Sequence, residues 1–482
     1  MRAGVPLRGE RVGDPNPLAP RSGERVGDPN SLAPRSGERV GERGRVGIAA
    51  ALFLAACAAA PRGASSTSTS TSTSTSTSTS TRTSTSLRAE APAAQAAVGF
   101  APAGEGAKSY AVTASADGRR APPPDALRKA LLAEVRAAAR KNGMPPPQPD
   151  ARLDWAMTDL ARHIRGDELP ALDVVDFLLG HYGLVEPSPH ILLSSAPTEG
   201  AAEIAAHART ELAEMTRAPD LGRVGIGVDR SGDMIHIALG LQETRVKILK
   251  TIPRRLAPGG HAPIEARIVG RLTSPMVAIT APDGTVREQT PPPKDGVIRA
   301  ELQCAADGRY QVEIVAVGST GAAVLANFPV FCGVTPAAEA PRGAGVRNAS
   351  VTPDEAEKQL LALINRDRKL AGVPPLIADD KLTAVARAHS HDMVDHDFVG
   401  HVSPRTGTAL DRVHRVGLTP TFVSENVGRG YSADEAEQGF MSSPGHRANI
   451  VDPRPRRVGV GIVFGAAVTG TTPLFVTQLF TN

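Results

Sequence analysis

From Ser65 to Ser86 the chain is an almost pure serine–threonine alternation with no apolar side chain in it. Ordering a residue costs conformational entropy that burial of apolar surface has to offset, and this stretch has nothing to bury. It reads as a flexible tether. The Ala/Pro-rich run from Leu87 to Pro102 lacks an apolar period and extends it, so residues 58–107 are read as a disordered linker. The folded part of this 482-residue chain is therefore expected after about residue 108, with room there for two to four domains.

Upstream of the tether, GERVGDPNPLAPRS (Gly9 to Ser22) is followed by GERVGDPNSLAPRS (Gly23 to Ser36). This near-tandem repeat has no apolar face to stack, so residues 1–42 are expected to be disordered, and a later translation start near Val40 would leave them untranslated. Residues 43–57 have the layout of an export signal: Arg43 and Arg45, an apolar run from Ile48 too short to span a bilayer, then small residues. Leu54-Ala55-Ala56-Cys57 resembles a bacterial lipobox, which implies lipidation of Cys57 and a membrane anchor without a spanning helix. The other reading is an ordinary cleaved signal with an incidental cysteine. Either way the protein is expected to be exported, to the bacterial cell envelope as a membrane-anchored lipoprotein or secreted.

Composition narrows the function. Aromatic residues are 3% of the chain and the net charge is +4, with no Lys/Arg stripe in the folded regions. A nucleic-acid partner is not expected.

Three folded regions follow, an α+β assembly overall. Residues 108–243 open with a helix capped by Asp125, break at Gly143, continue with a second helix over Arg152 to Ile164, and end in a hairpin around Arg230-Ser231-Gly232. Residues 245–336 hold six short β-rich runs separated by turns such as Pro282-Asp283-Gly284, the pattern of a small β-sandwich. Cys304 and Cys332 both lie in it, as a disulfide in an oxidising compartment or as two buried thiols. After a linker at 337–350, residues 351–482 begin with a capping box, Thr352 with Glu355 and Pro353 at the first helical position. A second helix over Lys381 to Val394 carries Leu382, Val385, Ala386, His389 and Met393 at helical spacing. RRVGVGIVF and PLFVTQLF close the region as paired strands.

The first and last regions read as copies. Both run helix, Gly-x-Pro-Pro break, helix, and LGRVGIGV (Leu221 to Val228) parallels RRVGVGIV (Arg456 to Val463). Chance similarity of two Ala-rich helices is the competing explanation.

The residues that bear chemistry lie between Phe398 and Ile450, in FVGHVSP, SENVG and SSPGHRANI. They supply His401, Glu425 and His446 beside Gly and Pro, as expected of loops carrying function. Two histidines and a glutamate match the ligand count of an open catalytic zinc site, with water as fourth ligand. The spacing is not that of a short zinc motif and no separate general base is evident. The same three residues would also serve as a hydrogen-bonded cluster fixing the loops. His389 reads as a core histidine. Ser403, Asn426, Arg447 and Gln478 are expected in support, Arg447 together with Asn449 as the bonds holding the Pro-Gly-His-Arg turn. The first copy has no counterpart of the three: apolar HILLSSA stands where SENVG would fall.

In order and spacing, LLALINRDR, AHSHDM, FVGHVSP, SENVG, FMSSPGHRANI, VGVGI and FVTQLF resemble the bacterial branch of the CAP superfamily, the SCP-like extracellular domains. The resemblance implies an α-β-α sandwich for residues 351–482 and makes 108–243 a degenerate CAP-like domain. It also implies a cavity lined by two His and two acidic residues, with His401, Glu425 and His446 at three of the positions. The fourth falls at Ser443, which departs from the pattern and leaves at most three ligands. The expected function is a non-catalytic module binding an envelope ligand, lipid or peptide. The alternatives are a zinc-dependent hydrolase of peptide or envelope polymer, and a structural or adhesive surface protein.

Overall fold

A computed structural model of the chain describes residues 47–51 and 99–482, apart from 112, 114–117, 124, 165–168, 199–200, 219, 342–350 and 468–471. The Ser/Thr tether, the N-terminal repeat and Cys57 lie outside the described residues. Helices and strands are mixed throughout, and no helix among the described residues is long and apolar enough to cross a membrane.

The first α/β module runs, in chain order, through β1 (Gly47–Ala51), β2 (Ser109–Tyr110), α1 (Ala126–Lys141), β3 (Gln148–Pro149), α2 (Ala151–His163), α3 (Leu172–His181), β4 (His190–Pro197), α4 (Ala201–Met215), β5 (Leu221–Ser231) and β6 (Met234–Glu243). Helix α1 starts where expected: Asp125 is extended and its carboxylate accepts from the Leu127 and Arg128 amides. Asp150 caps α2 in the same way. The sheet order is β1-β4-β6-β5-β3. Alternate residues of its strands feed two cores, one under α1 and α4 and one under α2 and α3. In the unprocessed chain the apolar run of the signal-like segment pairs as an edge strand, Gly47–Ala51, beside β4, and processing at Cys57 would remove it.

The linker expected over 58–107 is shorter than read. Phe100 stacks on His163, the Ala103 amide donates to Asp159, and the Ala107 amide to the His181 carbonyl. These are isolated anchors in irregular backbone, which no periodicity reveals. Strand β2 leaves the first module altogether and pairs with the next.

That next module comprises β7 (Val246–Ile248), β8 (Ile252–Pro253), β9 (Arg255–Leu256), β10 (His261–Ile268), β11 (Thr273–Thr280), β12 (Val286–Gln289), β13 (Val297–Gln303), β14 (Gly308–Gly318) and β15 (Gly321–Cys332). A three-stranded sheet, β13-β10-β7, and a five-stranded one, β12-β11-β14-β15-β9, enclose one core that includes Ile264, Ile298, Val277, Ile314 and Phe328. Cys304 follows β13 and Cys332 ends β15. They are joined as a disulfide with Cα atoms 5.6 Å apart, which ties the ends of the two sheets together. Closing a loop with a sequence separation of 28 is worth about 3.6 kcal/mol in the chain-entropy picture.

The last module comprises α5 (Pro353–Leu370), β16 (Ile377–Ala378), α6 (Asp380–Asp395), α7 (Ala409–Arg415), β17 (Val423–Gly430), α8 (Ala433–Ser442), α9 (Pro444–Ile450), β18 (Arg457–Phe464) and β19 (Leu474–Thr481). The capping box of Thr352 and Glu355 forms. Helices α5, α8 and α9 pack on one face of the sheet through Leu360, Phe440, Val460 and Val476. Helices α6 and α7 pack on the other through Leu382, Ala386, Val413 and Leu479. The stripe read on α6, His389 included, is the buried one.

The sheet order of the last module, β16-β18-β19-β17, has the same connections and directions as β3-β5-β6-β4 in the first. The glycines explain the closeness of helix to strand. A Cβ on Gly459 or Gly461 would fall 2.1 Å from backbone atoms of α6, and one on Gly227 would fall 2.1 Å from the Met157 backbone of α2. Both helices lie directly on a glycine-bared strand.

Candidate functional site

The three motifs adopt three different structures. FVGHVSP is a loop after α6, SENVG lies within strand β17, and SSPGHRANI ends α8 and forms α9. Turn-forming neighbours suggest loops throughout, but β17 completes the sheet against β19 along its whole length.

The strand period then divides the site. Glu425 and Asn426 are consecutive on β17, so their side chains leave opposite faces. On the α6–α7 side, Glu425 Oε2 meets His401 Nδ1 at 2.8 Å, and Glu425 Oε1 accepts from Arg412 Nη2 at 2.5 Å. Arg412 also donates to the carbonyls of His401 and Gly407. Both Glu425 and Arg412 are buried, at 3% and 4% exposure. Burial alone would raise the Glu425 carboxyl, but the guanidinium, backed by the His401 hydrogen bond, outweighs it and holds the group down at about 2. His389 Nε2 donates to the Gly400 carbonyl at 2.9 Å, which fixes the start of the His401 loop from the core.

On the other face, Asn426 Nδ2 donates to Gln478 Oε1 at 2.8 Å, and Gln478 Nε2 to Glu437 Oε2 at 2.8 Å. Asn426 Nδ2 also reaches the His446 carbonyl at 3.3 Å. His446 is buried against the edge of Phe440, ring centroids 4.9 Å apart. Desolvation, reinforced by the charge of His401, pushes its imidazole down to about 3 and keeps it neutral. Burial pushes Glu437 up to about 8 and Glu435 up to about 7. Asn449 stitches the halves together, donating to the Glu425 carbonyl at 3.1 Å and to Asn426 Oδ1 at 2.9 Å.

The supporting residues sort differently from their sequence expectation. Ser403 Oγ accepts from the Arg405 and Thr406 amides and shapes the loop after His401. Gln478 is a direct member of the network. Asn449 does hold the α9 segment, but Arg447 does not: it turns outward, and its Nε donates to the Gly284 carbonyl of the two-sheet module at 3.2 Å. A charged side chain on the open face of a short helix reaches solvent or a neighbour more readily than its own turn. Arg412 is the residue that sequence reading missed. On the short α7, among Asp411, His414 and Arg415, it looks like one more solvent-facing charge.

The ligand set expected from His401, Glu425 and His446 does not fit zinc as arranged. Both Glu425 oxygens are engaged, one by a guanidinium, and a buried cation opposes a second beside it. His401 and Glu425 are hydrogen-bonded to each other, while His446 feels the charge of His401 and packs on Phe440. Among the described residues no group of three or more His, Cys, Asp or Glu is placed to hold a metal ion.

These buried carboxyls set a pH dependence. Glu437 and Glu435 keep protons in the folded state that the unfolded chain releases near 4.5. They therefore cost stability as pH rises from about 4.5 to about 8. Glu425 has the opposite sign: its contribution is present above 4.5 and is lost as pH falls toward 2. Urea midpoints are expected to be highest near pH 5 and lower at pH 8.5. Glu437→Gln should flatten that decline, and an unchanged slope in the variant would refute the assignment.

The module also matches known proteins. The family model CAP, the cysteine-rich secretory protein family, matches residues 361–480. The uncharacterized protein YkwD of Bacillus subtilis (strain 168) is 34% identical over 113 residues, 23% of this chain and 44% of that protein. The uncharacterized membrane protein YlbC of the same organism is 32% identical over 107 residues, 22% of this chain and 31% of that protein. The chain thus spans less than half the length of these curated relatives. Among solved structures, an outer surface protein from Borrelia burgdorferi aligns at 18% identity with a TM-score of 0.25, over 28% of this chain and 98% of that one. An extracellular protein containing a SCP domain from Bacillus anthracis aligns at 15% identity, TM-score 0.25, over 63% of this chain and 91% of that one. With the family pattern spanning α5 to β19, residues 361–480 of this chain are a CAP domain of the cysteine-rich secretory protein family.

Proposed function

We propose that the protein is an exported cell-envelope protein, lipid-anchored at Cys57, whose CAP domain is a non-catalytic module for an envelope ligand. Residues 108–243 serve it as a degenerate second copy. The register supports that: pairing to the glycine-bared strands sets Ile191, Leu192 and Leu239 where Glu425, Asn426 and Gln478 stand in the CAP domain. The polar network has been exchanged for core.

One observation carries the non-catalytic reading. Two of the three candidate acid–base groups are withdrawn: Glu425 is neutralised by Arg412 and His401, and His446 is buried and held neutral. Acid–base work needs a group that titrates near the working pH and reaches its substrate, and neither residue meets both conditions. A network fixed in this way suits a rigid recognition surface.

Two measurements test this reading. Calorimetry on the protein with zinc at neutral pH is expected to show no stoichiometric binding. One equivalent bound, and abolished by His401→Ala, would restore the zinc-dependent hydrolase. For the anchor, a labelled fatty acid fed to the producing cells is expected on the wild-type protein and absent from Cys57→Ser. Label on neither form would reduce the signal to an ordinary cleaved one.

A further inference from the structure

The segment that carries His446 is held from outside its own domain. Helix α9 begins at Pro444, and Ser443, at its N-terminal boundary, makes no side-chain hydrogen bond to the helix. Its hydroxyl donates instead to Glu313 Oε2 on strand β14 at 2.5 Å. The other oxygen, Glu313 Oε1, accepts from the Gly445 amide at 3.0 Å. The residues lie 130 and 132 apart in sequence, and Glu313 is completely buried. Two further bonds reach the same segment from the two-sheet module: Asn327 Nδ2 to the Ser442 carbonyl at 3.3 Å, and Arg447 Nε to the Gly284 carbonyl.

A buried carboxylate needs partners, and Glu313 has one hydroxyl and one amide, both on the His446 segment. The chain gains little stability from placing it there. Desolvation pushes its carboxyl up to about 7 against those two hydrogen bonds. An apolar residue facing an apolar wall would cost less. What the carboxylate does provide is direction, because its two oxygens accept from residues 443 and 445 at once and fix the backbone on the N-terminal side of His446.

We propose that Glu313 is a positioning residue of the CAP site, supplied by the neighbouring two-sheet module, which fixes the segment Ser443–His446 and so sets the access to His446. This holds whichever ligand the CAP domain takes. It makes the seating of the two-sheet module part of the site's geometry. The other histidine is held alike: the Val402 amide donates to the Thr320 carbonyl at 3.0 Å, and a Cβ on Gly400 would fall 2.6 Å from Thr320.

Carbethoxylation of the full chain by diethyl pyrocarbonate, read by peptide mass spectrometry at neutral pH, tests the assignment. His446 is expected to react slowly in the wild type and about tenfold faster in Glu313→Ala, the scale of losing the two buried hydrogen bonds that Glu313 accepts. Glu313→Gln keeps an acceptor for the Gly445 amide and should stay within about twofold of wild type by the same reasoning. Buried His389 reports on the fold and exposed His414 on the reagent; both should be unchanged. An unaltered His446 in Glu313→Ala overturns the proposal, as does a rise shared equally by His389, which would mean general loosening. If Glu313→Ala does not fold, Ser443→Ala decides, with faster reaction at His446 expected and no change overturning the assignment.

Discussion

Arg412→Ala is expected to lower the stability of the protein by about 3–5 kcal/mol, because it leaves a buried carboxylate without its cation. Arg412 and Glu425 are each nearly inaccessible. Truncation also leaves the His401 and Gly407 carbonyls without the guanidinium donor they share. The pair as such contributes little net stability, since both charges had to be desolvated. The double change Arg412→Met with Glu425→Gln should therefore recover much of the loss. Urea unfolding of the two forms checks this. Arg412→Ala within about 1 kcal/mol of wild type would place the pair in water after all. There is a pH signature as well. Without Arg412, Glu425 loses the strongest influence lowering its pKa and protonates at higher pH, so the deficit should narrow toward pH 4.

The second large effect concerns the glycine-bared strands. Gly461→Ala and Gly227→Ala should each cost about 4 kcal/mol or more, at the exceptional end for a single methyl group. Neither glycine has a positive φ, so the penalty is steric and not conformational. The new carbon would fall 2.1 Å from the Arg387 nitrogen in one module and from the Met157 carbonyl carbon in the other. Backbone cannot rotate away as a side chain can, so the helix must lift off the sheet and take its core contacts with it. Gly372→Ala is the contrast: its φ is +71 but nothing lies within 4 Å, and about 1 kcal/mol is expected. Thermal melts of the three variants separate the cases. Tolerance of alanine at 227 alongside failure at 461 would mean that the two α/β modules pack their helices differently.

Much of the fold was legible because its signals are local. Asp125 and Thr352 announce helix starts by capping chemistry, which acts over three residues. The α6 stripe and the closing strands are periodic patterns. Helix α3, apolar on most faces because it is wedged against the rest of its module, gives no such period. Within the site, His401, Glu425 and His446 stood out by residue type beside turn formers. That Glu425 and Asn426 leave opposite faces was in principle readable from the strand period, once SENVG is taken as strand. Glu313 was not readable. Nothing near Ala316 or Ile314 marks it, and its partners are set by tertiary packing alone. Arg412 escaped for the same reason: a buried arginine and a surface arginine are the same letter.

The apolar contact between the CAP domain and its neighbour bears on how the chain is made. Val315 and Ala322 of the two-sheet module share one buried cluster with Met393, Val427 and Phe475. In chain order the two sheets come before the CAP domain and are free to fold first. The late-arriving domain therefore finds a finished surface that completes part of its own interior, and condenses on it as on a mould. Cut away from that surface, residues 351–482 would show Met393, Val427 and Phe475 to water, and a fragment of that kind should aggregate where the longer chain does not.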